Sequence, residues 1–114
     1  MPGSSHLDQT ATQELRNIMG NDFALLVQTF VRDSAQRIVA IRDAVKAESP
    51  DALRRAAHSF KGSAGNMGAL RLADICRSLE ELGRQQLIVG APSLIHELVE
   101  EYGAVERELA ALLR

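Results

Sequence analysis

Apolar residues recur at three- and four-residue spacing along almost the whole of this 114-residue chain. No stretch alternates apolar and polar at the period of two that a half-buried strand requires. The chain is therefore restricted to helices that each bury one stripe. Local stop and start signals divide it into five. A short first helix spans about Asp8 to Met19 and stops at Gly20. Asn21 or Asp22 is placed to cap a second helix running to about Glu48, with Phe23, Leu26, Val27, Phe30, Ile38, Ile41 and Val45 on its stripe. Ser49 followed by Pro50 opens a third, since proline suits the first helical turn. It carries Leu53, Ala56, Ala57, Phe60, Ala64 and Met67 and ends near Gly68. The fourth carries Leu72, Ala73, Cys76, Leu79 and Leu82, with Gly83 near its fading end. After a break at Val89-Gly90-Ala91-Pro92, the fifth carries Leu94, Leu98, Tyr102, Val105, Leu109 and Leu112. Short connections between long amphipathic helices predict an all-α fold, an antiparallel four-helix bundle with an additional short N-terminal helix.

The length fits one domain, assigned to residues 8–114, and a chain of this size can bury a core without metal or disulfide help. Residues 1–7, small and polar from Met1 to His6, read as a disordered tail or an expression remnant. The single cysteine, Cys76, excludes an internal disulfide framework and a multi-cysteine zinc site, and it suits a reducing cytoplasm. A net charge of −2 gives no field for nucleic acid or a membrane surface, and aromatics at 4% without tryptophan give no base-stacking platform. No apolar run reaches the roughly 20 residues of a membrane span.

The third helix holds the residues that point to chemistry. On a wheel at about 100° per residue with Leu53 at zero, its apolar positions fall within roughly 60° of zero, and His58 lands near 140°. Arg54 lies one turn before His58, while Lys61, Gly62 and Gly65 follow it by three, four and seven positions. Each interior helical glycine costs about 1 kcal/mol relative to alanine, and both sit on the solvent side. Leaving out the side chains there gives another protein's surface access to the imidazole. Lys61 and Arg54 add positive charge beside it. An imidazole ordinarily titrates near about 6.5, so a neutral, nucleophilic nitrogen is available at cellular pH. Phosphoryl transfer needs mainly positioning and charge compensation, which a lysine ammonium helps supply. A lone surface histidine is ordinarily just solvated; here it is the combination that points to a site.

The segment Ala57-His58-Ser59-Phe60-Lys61-Gly62-Ser63-Ala64-Gly65-Asn66-Met67-Gly68-Ala69 resembles the signature of histidine phosphotransfer (HPt) domains, and Leu72-Ala73-Asp74-Ile75-Cys76 with Leu79-Glu80 resembles the family's following helix. The resemblance implies that His58 is phosphorylated, with Lys61, Gly62 and the small Gly65 on the phosphoryl and partner-binding face, to which the wheel adds Arg54. It implies response-regulator receiver domains and a sensor or hybrid histidine kinase as partners, and a cytoplasmic location. Magnesium would belong to the receiver, with no cofactor on this chain. Gly62, Gly65 and Gly68 follow no strand, so no nucleotide loop is present, and neither ATP binding nor self-phosphorylation is expected. The phosphorylated domain of chemotaxis-type histidine kinases is similar and often places an acid beside its histidine. Glu80 matches that position, either as a residue behind His58 or as an ordinary solvated side chain. Arg77 departs from that relative, which tends to have a second histidine there.

Receivers dock on this family through an apolar patch beside the histidine. Leu15, Ile18 and Met19 at the end of the first helix, with Phe23 and Val27 at the start of the second, are the candidates for such a patch. The other reading is that all five cap the core. His6 reads as tail and His96 as a partly exposed structural histidine, and no cysteine or acid pair joins His58 and His96 into a zinc site. Cys76 lies on an apolar stripe and reads as a buried, inert thiol. Glu97, Glu100, Glu101, Glu106 and Glu108 read as a solvated acidic face. The expected function is that of a monomeric phosphorelay carrier passing a phosphoryl group between receivers. The alternative is a helical adaptor that only docks a receiver or kinase. A metal-dependent or acid–base enzyme is disfavoured because no second catalytic group stands near His58 in the sequence. A free-standing protein and a domain of a hybrid sensor kinase fit equally well.

Overall fold

The computed structural model describes residues 6–114. Five α-helices are present: α1 (Gln9–Met19), α2 (Phe23–Lys46), α3 (Pro50–Asn66), α4 (Leu70–Gln85) and α5 (Ala91–Leu112). Short 3-10 turns at Gly20–Asp22 and Ile88–Gly90 lead into α2 and α5. The four long helices form a closed ring of neighbours, α2 on α3, α3 on α4, α4 on α5 and α5 on α2. The fold is thus an all-helical four-helix bundle with the short α1 against it. No helix among the described residues is long and apolar enough to cross a membrane.

The local signals work as their chemistry requires, with instructive exceptions. Asp8 caps α1 by accepting from the Ala11 amide, and Ser49 caps α3 by accepting from the Ala52 amide ahead of Pro50. Asp22 stands at the N-cap of α2 in helical conformation and makes no side-chain cap, because the 3-10 turn already continues into the helix. The core stripes appear as spaced: Phe23, Val27, Phe30 and Ile41 from α2, Leu53, Ala57, Phe60 and Ala64 from α3, Leu72, Cys76 and Leu79 from α4, and Leu98, Val105 and Leu109 from α5 are buried. Tyr102 of α5 stands between Phe30 and Phe60, with ring centroids 6.3 and 6.4 Å away. Gly83 stands near the end of α4, as its position in the sequence implies. The helix continues past it to Gln85, and the glycine is buried against α3.

The N-terminal boundary is also corrected. Residues 1–5 of the expected tail lie outside the described residues, but Leu7 is buried in the core and His6 is bound to Glu101 on α5. The amide of Asp8 donates to the Gly68 carbonyl, and the Thr12 hydroxyl donates to the Met67 carbonyl. These bonds seat α1 on the α3–α4 turn. Gly68 has φ +80 there, and a side chain on it would come within 2.7 Å of the Thr12 hydroxyl, so this turn requires glycine.

Candidate functional site

His58 projects from the middle of α3 with 65% of its side chain exposed. Nothing lies within 4 Å of where a side chain would begin on Gly62 or Gly65. The approach to the ring is therefore open on that flank, as the wheel implies. The ring is nonetheless firmly held from behind. Its Nδ1 lies 2.8 Å from Oε2 of Glu80 on α4. A carboxylate can only accept, so Nδ1 carries the proton of the neutral ring and Nε2 keeps its lone pair.

Glu80 is only 5% exposed. It is not a solvated helix residue, since it lies on the stripe that α4 turns toward α3. The Lys61 ammonium lies 2.7 Å from its Oε1. Oε1 accepts no aligned hydrogen bond, so this contact is an ion pair. Arg84, one turn along α4, lies 3.7 Å from Oε2 and also pairs with Glu81. Burial by itself would raise the Glu80 carboxyl above the ordinary value. The contacts and charges of Lys61 and His58 outweigh it and hold the group below that value. The carboxylate is thus ionised, buried and flanked by cations.

The structure gathers His58, Lys61, Gly62 and Gly65 on one surface with Glu80 beneath. Arg54 stands apart from the ring: its guanidinium is held 2.9 Å from Asp51, one turn toward the start of α3. Arg84 was missed, although its position four residues after Glu80 places it on the same face. Arg37 of α2 was missed too. It donates to the Ser59 hydroxyl at 2.8 Å and ties α2 to α3 beside the site.

The candidate docking patch divides. Phe23 and Val27 are 3% and 4% exposed and cannot form a free surface. They open a single stripe that continues through Phe30 and Ser34 into the bundle, so they are core residues. Leu15 and Met19 are partly buried against that core, and only Ile18, 81% exposed, stands clear. Glu101 leaves the acidic face assigned to it. It is buried on α5, with His6 Nδ1 2.8 Å from Oε2 and Arg71 3.6 Å from Oε1. Cys76 is fully buried, and burial, with the nearby Glu80 charge, pushes its thiol up to about 12. His96 is exposed beside Glu100. Among the described residues, no three of the histidine, cysteine and acidic side chains come together as a metal site.

Comparison with known proteins agrees with the fold. A family model described as the Hpt domain matches residues 25–113. No curated protein matches the chain. Among solved structures, the crystal structure of histidine-containing phosphotransfer protein B (HptB) from Pseudomonas aeruginosa PAO1 is similar at 37% identity, with a TM-score of 0.93, over 96% of this chain and 95% of that one. An open histidine backed by a buried carboxylate, on a helical bundle that matches over most of its length, thus carries one conclusion: the chain belongs to the Hpt domain family of phosphorelay histidine phosphotransfer proteins.

Proposed function

We propose that His58 is the phosphorylated residue, accepting a phosphoryl group from the aspartyl phosphate of one receiver domain and passing it to the aspartate of another. One observation carries the reading: Nδ1 is engaged by a buried carboxylate at 2.8 Å while the exposed ring stands beside two bare glycines. With the proton on Nδ1, the Nε2 lone pair attacks phosphorus. The N–P bond forms as the P–O bond to the receiver's aspartate breaks, and that carboxylate leaves with the electron pair. The ring becomes a phosphoimidazolium, and the Glu80 carboxylate compensates its positive charge. Transfer onward reverses these events at a second receiver. Lys61 is part-exposed, which leaves its ammonium able to turn toward the phosphoryl oxygens. The divalent cation, the sensor or hybrid kinase and the nucleotide chemistry belong to the partners. Ile18 remains the apolar candidate for contact with the receiver.

Incubation with a receiver carrying a radiolabelled aspartyl phosphate tests the assignment. The chain should take up label that is stable in base and lost in acid. His58→Gln should abolish uptake while helical content by circular dichroism stays unchanged. Full labelling of that variant would remove His58 from the reaction. A wild-type chain that binds the receiver without labelling would instead be a docking adaptor.

A further inference from the structure

We propose that Gly83 is a positioning residue for phosphoryl transfer: its missing side chain sets the separation of α3 and α4 at which Glu80 reaches His58. The proposal rests on His58 being the phosphoryl acceptor. Gly83 lies in the last turn of α4, where a glycine is usually explained by a left-handed backbone, and it has none. What it has is contact. A Cβ built there would lie 2.7 Å from the Pro50 carbonyl oxygen, 2.8 Å from the Arg54 nitrogen and 3.0 Å from the Arg54 Cα, whereas ordinary contact begins near 3.4 Å. All three atoms are helix backbone and cannot rotate aside as a flexible side chain would. Any side chain at position 83 must push α4 off α3 by several tenths of an ångström.

The register carries this displacement to the site. Gly83 follows Glu80 by three residues and Arg54 precedes His58 by four, so the close crossing lies one helical turn from the His58–Glu80 pair on the same two faces. The Nδ1···Oε2 distance of 2.8 Å would then stretch toward or past the limit of an N–H···O bond. A free histidine side chain prefers its proton on Nε2. A weakened grip from Glu80 therefore shifts the ring toward the tautomer whose Nε2 has no lone pair. Gly62 and Gly65 differ from Gly83 in meeting open space: they grant access, whereas Gly83 fixes depth.

The test is Gly83→Ala, read by the ring-nitrogen NMR shifts of His58 in the neutral state and by the transfer rate per folded molecule from a phosphorylated receiver. Leu109→Ala, a fully buried truncation on α5, serves as the destabilised control. The Gly83→Ala ring should move toward the Nε2-protonated tautomer and transfer should fall about tenfold or more, while the control keeps both at the wild-type level. In a Glu80→Ala background, adding Gly83→Ala should slow transfer no further, because Gly83 acts through Glu80. Three results overturn the proposal. The first is a folded Gly83→Ala with wild-type tautomer and rate. The second is an equal loss in the Glu80→Ala background. The third is a variant that stays unfolded even with a stabilising osmolyte, which would assign Gly83 to folding alone. The tautomer is read without any receiver. If it shifts as expected but the wild-type chain takes no label, the relay reading fails and the positioning of His58 by Gly83 stands.

Discussion

At the scale of single residues, Glu80 holds an ionised carboxylate between two helices, where solvent cannot compensate it. The compensation comes from His58 and Lys61, which hold its proton affinity below the ordinary carboxyl value against the opposing effect of burial. That difference between folded and unfolded chain makes stability depend on pH. The group's contribution is fully present above the unfolded carboxyl value of 4.5 and is lost as pH falls through the lower folded value. Urea unfolding at neutral pH and at steps below 4.5 should therefore show an acid-side loss in wild type that is smaller in Glu80→Gln. Equal slopes in the two proteins would remove Glu80 as the source. The same substitution should slow transfer at neutral pH, because a neutral amide cannot compensate a phosphoimidazolium as a carboxylate does.

At the scale of elements, α3 and α4 divide the work. On α3, the exposed side around Gly62 is empty, so Gly62→Ala adds helix propensity without a clash. It should raise stability by up to about 1 kcal/mol in a denaturant titration, whereas Gly62→Gln should slow transfer by obstructing the receiver. A large loss of stability in either would make Gly62 a packing residue. The helices, their core stripes and the exposed face of His58 were legible because each is a property of one helix and its period. The supporting residues were harder to read because they depend on pairing between elements. Glu80 sits on the stripe of Cys76, Leu79 and Gly83, and Glu101 on that of Leu98 and Val105. Their phase points both toward the core, yet an acid reads as solvated unless its partners are known, and the contacts of Glu80 with His58 and Lys61 and of Glu101 with His6 and Arg71 come from other parts of the chain. Gly83 carried a similar clue: a glycine on the apolar side of a helix signals a close crossing as readily as an end.

At the scale of the whole molecule, the described chain is bound to the bundle from His6 onward. Leu7 enters the core, and His6 lies against Glu101, which Arg71 also approaches. Leu7→Ala should lower stability by about 2–5 kcal/mol, as a core truncation does. Ile18→Ala should leave the melting temperature nearly unchanged and weaken receiver affinity, measured by calorimetry. The opposite pattern would make Ile18 structural and Leu7 peripheral. The seat of α1 on the α3–α4 turn, through Thr12 on Met67 and Asp8 on Gly68, has a mechanical consequence. The hairpin that carries His58 and Glu80 is pinned at one end by that seat and at the other by the bare crossing at Gly83, like a beam supported at both ends. A segment held this way has little freedom to adapt its shape. A partner docking beside His58 would then meet a stiff anvil, and any adjustment of shape would fall to the partner's side of the contact.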